Sequence, residues 1–221
     1  MNTKQDEKLR RIDSKYIIHE LEHILHLQRG IFYTIKKLLH TPGLTINEFI
    51  TENRTKITKP VLFLVITTLL YNITNKFAHF HDDAVEKVIN NNTITIIENW
   101  CNANLGYYSI ILGLFVALFL KIIFFKAKYT FFEVLVLMCY IIGVDILLAA
   151  ITGLFSTLLH FNFMKTYTIV CFIYSSWAIA NFYGKNKWYN YIKALVAFLL
   201  GCNLLTILPP VLGIIIDFII K

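Results

Sequence analysis

Charge is scarce in this chain. Asp, Glu, Lys and Arg make up 16% of its 221 residues, and apolar side chains make up 57%. An ordinary soluble domain has about 25% charged and about 45–50% apolar residues. So little polar material does not cover the outside of a soluble fold of 25.7 kDa, which excludes a soluble enzyme. The same apolar excess excludes a disordered chain. Glycine is limited to nine residues and proline to four, too few for a collagen-like fibre. Cysteine appears only as Cys101, Cys139, Cys171 and Cys202. No two stand in a CxxC spacing, so a disulfide scaffold, a zinc ribbon and a thiol redox motif all lack support. Three of the four lie inside apolar runs, where a thiol behaves as a small hydrophobe.

Long apolar runs are what the chain has in abundance. After Pro60 they form five blocks: Pro60–Phe77, Tyr107–Phe125, Phe131–Leu159, Thr166–Gly184 and Ile192–Ile220. A spanning helix needs about 20 apolar residues, and hydrocarbon tolerates only helices or closed barrels. The ten-residue alternation of barrel strands is missing. The blocks predict an all-α fold, a polytopic membrane helix bundle of about five transmembrane helices. Trp100, Tyr107, Tyr108, Tyr129, Trp188, Tyr189 and Tyr191 fall near the predicted span ends, where amphipathic rings settle at the interface.

Basic residues set the orientation, because cytoplasmic loops carry the Lys/Arg excess. Residues 1–59 hold eleven Lys/Arg. Lys121, Lys126 and Lys128 follow the second block, and Lys185, Lys187 and Lys193 follow the fourth. The alternate regions hold only Lys76, Lys87, Lys165 and Lys221. Five spans then place the N-terminus in the cytoplasm and the C-terminus outside. The net charge of +7 reads as contact with anionic lipid rather than nucleic acid, since no soluble basic groove interleaved with aromatic rings is visible. Residues 1–15 read as a disordered polar tail and 16–59 as a cytoplasmic amphipathic helical segment; 60–221 are the transmembrane domain. No signal peptide is visible.

Within the amphipathic segment, Ile17, Ile18, Leu21, Ile24 and Leu25 share one helical face, and His19, His23 and His26 share the opposite one. Gly30 breaks the run. A second stripe follows in Ile31, Ile35, Leu38 and Leu39, and Thr41-Pro42-Gly43 is expected to stop it, ahead of a short helix around Ile46–Ile50. Such a helix lies flat in the membrane interface or packs on the inner ends of the spans. His19-Glu20-Leu21-Glu22-His23 matches HExxH, in which two histidines one turn apart reach a zinc and the glutamate activates its water. His26 falls on the same face as a further ligand. A wet, open face with no later soluble cleft speaks against catalysis, so a solvated histidine stripe stands beside a zinc site. His79, His81, Asp82 and Asp83 could hold a metal by composition alone.

The run from His19 to Tyr71 resembles the start of a bacterial membrane-protein family catalogued only as a domain of unknown function. Gly30, Thr34, Pro42, Gly43, Phe49, Arg54, Lys59 and Pro60 carry the resemblance. The segments KAKYTFFEVLVLMCY and IYSSWAIANFYGKNKWYNYIKA are similar to the family's later parts. The likeness covers roughly residues 16–200. Many relatives carry a zinc ribbon ahead of the first helix, and this chain has no cysteine before Cys101. The later half is similar, more loosely, to the Yip-type five-helix membrane fold. The resemblance implies a multi-pass protein of the bacterial inner membrane and carries no established activity.

Polar residues inside the blocks are the remaining candidates. A charge at mid-bilayer costs about 2.5–3.5 kcal/mol or more and marks a bundle interior or a pathway. Asp145 lies near the middle of the third block, on one face with Ala149, Thr152 and Ser156. In the fifth block Asn203, Thr206, Pro210, Gly213 and Asp217 recur on a second stripe, and Pro209-Pro210 interrupts the helix. Broken helices with polar neighbours build transporter sites. Small and polar residues also join helices at about 0.6 kcal/mol per hydrogen bond. No second broken helix and no internal repeat completes the transporter pattern. The composite reading is a non-enzymatic membrane scaffold, assembly factor or lipid-interacting protein. Its partners would be membrane lipids, a second copy or another membrane protein, and it would need no cofactor. A small transporter or channel using Asp145 and Asn203, and a membrane-tethered zinc protein using the HELEH run, are the alternatives.

Overall fold

The computed structural model describes residues 30–78, 105–161, 163–184 and 187–220. They form seven helices: α1 (Ile31–His40), α2 (Pro42–Thr51), α3 (Pro60–Ala78), α4 (Leu105–Ile123), α5 (Phe131–Leu159), α6 (Met164–Gly184) and α7 (Trp188–Ile220). No strand occurs among the described residues. Each of the five apolar blocks is one helix. Three helices are long and apolar enough to cross a membrane, over Gly106–Ile123, Phe131–Leu159 and Trp188–Ile216.

Local chemistry sets the helix ends. Gly30 precedes α1 at φ 48°, a left-handed conformation that glycine takes without a Cβ penalty. Thr130 caps α5: its hydroxyl accepts the Glu133 amide at 3.3 Å, and the Glu133 carboxylate accepts the Thr130 amide at 2.7 Å. His160 closes α5 in the left-handed region at φ 49°. The expected stop at Thr41-Pro42-Gly43 is only one residue long. α1 ends at His40 and α2 begins at Pro42, because proline's fixed φ suits the first helical position, where no amide partner is needed. α2 therefore runs Pro42–Thr51, longer than the short helix around Ile46–Ile50. Pro209 and Pro210 lie inside a helix that continues to Ile220, so the chain does not turn back there.

α5 is the central element. Every residue from Tyr140 to Ile146 is buried, which requires neighbours on all sides. α3 runs alongside it, with Phe63 and Thr67 against Gly143. α4 returns along another side, its Gly113 facing Met138 and Ile142. α6 lies on a third. The α1–α2 hairpin completes the enclosure: the Phe49 ring meets Tyr140 edge-on at 5.6 Å, and the Tyr140 hydroxyl donates to the Thr58 carbonyl at 2.6 Å. Thr34 and Thr58 share a buried hydroxyl bond at 3.0 Å. Tyr174 on α6 donates to the Leu38 carbonyl at 3.3 Å.

The hairpin, the α4–α5 connection and the α6–α7 connection meet at one end of the bundle. Phe124 stacks on Tyr183 there at 3.9 Å, and Tyr129 lies 4.3 Å from Phe182. The Lys193 ammonium sits 5.7 Å over the Phe124 ring, a cation–π contact. Ten of the described Lys/Arg residues occupy this basic end, and only Lys76 and Lys165 lie toward the other.

Gly43 makes the hairpin's docking possible. A Cβ there would stand 2.4 Å from the Asn181 carbonyl carbon and 2.5 Å from the Phe182 nitrogen, both backbone atoms that cannot rotate away. Gly43→Ala is expected to destabilise the protein by about 1–3 kcal/mol, the usual cost of overpacking. Thermal unfolding of purified protein in detergent reads this, and an unchanged midpoint would show that the hairpin does not press on α6.

Candidate functional site

Two features combine polar chemistry with enclosure. The first is a groove of about 590 Å³ at the basic end, bounded by the end of α2, the connection to α3 and the first turns of α3 and α5. Its origin is a difference in helix starts. Thr58, just ahead of α3, lies beside Tyr140, so the first turns of α5 extend past the start of α3 and leave a gap. Phe49, Ile50, Pro60, Val61, Phe132 and Val136 give it apolar walls; Arg54, Lys59, Thr130 and Glu133 add the polar groups. Phe132 is 77% exposed and Val61 66% exposed, so this wall faces outward from the bundle.

The charges around the groove are not equivalent. Lys56 pairs with Glu48. That hydrogen bond holds the Glu48 carboxyl below the usual carboxylate range and raises the Lys56 ammonium. Glu133 is engaged in capping α5. Arg54 and Lys59 have no ion-pair partner among the described residues. The groove thus presents two unpaired cations and one carboxylate, a net positive charge, beside an apolar wall.

The second feature is Asp145, buried midway along α5. The Ser175 hydroxyl on α6 donates to its Oδ2 at 2.8 Å. Cys171, one turn before Ser175 on α6, lies near the same carboxyl. The Tyr167 hydroxyl donates to the Asp145 backbone carbonyl at 3.4 Å. Oδ1 of Asp145 is buried without a hydrogen-bond partner, and no cation pairs with the carboxyl among the described residues. Tyr167, Cys171 and Ser175 recur at steps of four along α6. That spacing is visible in the sequence as a helical stripe and was missed, because a tyrosine, a cysteine and a serine do not stand out in an apolar block.

The other candidates are placed differently. Thr152 bonds back to its own helix at the Leu148 carbonyl, 2.6 Å away. Ser156 donates to the Phe161 carbonyl at the α5 terminus, 2.7 Å away. Asn203 and Thr206 are exposed; their side chains donate to the Leu199 and Asn203 carbonyls of α7 itself, at 2.8 and 2.9 Å. The structure therefore does not bring Asn203 to Asp145. Pro209 is buried and Pro210 half-buried. The side chain of Asp217 lies outside the described residues, as do His19, His23 and His26 of the HELEH run and the residues from His79 to Asp83. Among the described residues no group of three or more His, Cys, Asp or Glu could hold a metal ion.

The model of a family described as a protein of unknown function (DUF3667) matches residues 28–72. The match runs through the hairpin and most of α3, and it includes six of the groove's ten lining residues. No curated protein and no solved structure matches the chain.

Ser175→Ala leaves the Asp145 carboxyl without its hydroxyl donor. Loss of about 1–3 kcal/mol is expected, the cost of an unsatisfied buried polar group. In an Asp145→Ala background most of that cost should vanish. A double-mutant cycle on thermal unfolding measures the coupling, and strict additivity would refute it.

Proposed function

We propose that this chain is a five-span, non-enzymatic integral membrane protein acting as a scaffold or assembly factor through lipid and protein contacts. The basic end lies in the cytoplasm, the C-terminus outside, and the membrane is the bacterial inner membrane. α3 and α6, of 19 and 21 residues, join the more apolar α4, α5 and α7 as spans. At about 1.5 Å per residue they reach roughly 28 and 31 Å, close to the hydrocarbon thickness. The distribution of Lys/Arg supports the orientation.

One observation carries this reading. The amphipathic hairpin is not a tether beside the bundle but part of its basic end, packed against α5 through the Phe49 and Tyr140 rings and against α6 through the Tyr174–Leu38 hydrogen bond. The surface it builds is cationic and apolar together, which suits an anionic leaflet. A second copy is a fitting partner for α7, whose Asn203 and Thr206 lie on an exposed face.

Spin-labelled lipids around the reconstituted protein test the reading. Phosphatidylglycerol should be favoured several-fold over phosphatidylcholine in the motionally restricted shell. The preference should fade in roughly 1 M salt, where charges are screened within about 3 Å. Replacing Lys126, Lys128 and Lys187 by Gln should weaken it. Equal association of both lipids would sink the proposal.

A second reading, a small transporter or channel, draws on the buried and unpartnered Oδ1 of Asp145. Under it, Asp145→Asn changes the proton or cation flux of proteoliposomes; flux that is independent of the protein would dispose of it.

A further inference from the structure

We infer that the groove between α2, α3 and α5 is a binding site for one anionic phospholipid, its phosphate held by Arg54 and Lys59 and an acyl chain laid along Val61, Phe132 and Val136. The inference rests on the lipid-contacting reading above and names the ligand of that surface.

Charge complementarity selects the occupant. The groove's own acid, Glu133, keeps its negative charge while it caps α5, and the neighbouring Lys56 is neutralised by Glu48. Arg54 and Lys59 both line the groove without an ion-pair partner among the described residues, so its cations outnumber its one acid. A planar guanidinium takes two phosphate oxygens at once, and an ammonium adds a point charge. Beside them the wall is apolar and faces outward, with Phe132 77% and Val61 66% exposed. A soluble anion would use the cations and leave this wall bare. A neutral apolar ligand would use the wall and leave the cations unpaired. A molecule with a phosphate at one end and hydrocarbon at the other satisfies both, and the membrane interface supplies one. The volume of about 590 Å³ takes a headgroup and the upper part of a chain, with the remainder in the bilayer.

The position of the groove adds a structural consequence. It lies where α3 starts beside Tyr140, so a bound lipid fills the gap between the hairpin and α5 and ties the two together.

Native mass spectrometry of the full-length protein, released from membranes containing equal phosphatidylglycerol and phosphatidylcholine, tests the site. The wild type should keep one phosphatidylglycerol per chain. In titrations with phosphatidylglycerol, Arg54→Gln/Lys59→Gln should bind that lipid about 25-fold more weakly, the worth of two cations at roughly fivefold each. Phe132→Glu should also lose the lipid, while Lys126→Gln/Lys128→Gln should keep it. All five exchanged side chains are exposed, and circular dichroism verifies that the variants fold. Inorganic phosphate at millimolar concentration should not displace the lipid; displacement would identify a plain anion site and overturn the proposal. If the double variant retains its one lipid while the salt-sensitive preference for phosphatidylglycerol persists, the groove assignment is wrong and the lipid-contacting reading stands. If the wild type shows no preference at all, both fail.

Discussion

The structure depends on covering α5 from every side. Seven consecutive residues, Tyr140–Ile146, are buried, although a helix in lipid gains nothing from burial by the hydrophobic effect alone. Close packing and hydrogen bonds must hold the neighbours in place. α3, α4 and α6 cannot close the ring at the level where α3 begins, because α5 starts well before it. The α1–α2 hairpin fills that sector. Its attachment is polar as well as apolar: Thr34, Thr58, Tyr140 and Tyr174 form bonds whose partners are otherwise out of reach of water. Gly43 permits the contact with α6 that brings the hairpin close enough.

That arrangement makes the two ends of the bundle different. Toward the basic end, α6 is buried over most of Tyr174–Phe182, and α5 over most of Val134–Ile146. Away from it, Ile151, Leu154, Phe155, Leu158 and Leu159 of α5 and Ile169, Val170 and Ile173 of α6 are exposed. Among the described residues the bundle is therefore tight at one end and open at the other. Asp145 and Ser175 sit where the tight region gives way. A carboxyl in that place has one hydroxyl partner and one unsatisfied oxygen, an expensive arrangement in an apolar surrounding.

Much of the fold is legible in the sequence. The five apolar blocks each became one helix, and three meet the length and hydropathy required of a span. Periodicity recovers such elements because side-chain polarity repeats with the helical turn. The candidate site was less legible. Asn203 and Thr206 look like an interior stripe in sequence, yet their side chains bond to their own helix and face outward. Periodicity states which residues share a face and is silent on what that face meets. Ser175 and Cys171 were missed for the converse reason: weakly polar residues acquire meaning only when a neighbour such as Asp145 is placed opposite them. The groove had no local signature at all, since Arg54 and Phe132 lie on segments far apart in the chain.

The amino-acid sequence by itself determined that most of this chain is helical and apolar, and that its basic residues fall on alternate connections. Composition and spacing carry that information, and the chemistry of a helix is local. Only the tertiary structure decided that the α1–α2 hairpin docks onto α5 and α6, that Asp145 meets Ser175 rather than Asn203, and that two unpaired cations share a groove with Glu133 and an apolar wall. Each of these follows from the relative height and rotation of helices distant in sequence. Those are set by which close contacts a small residue such as Gly43 or Gly143 allows, not by the periodicity of any one segment.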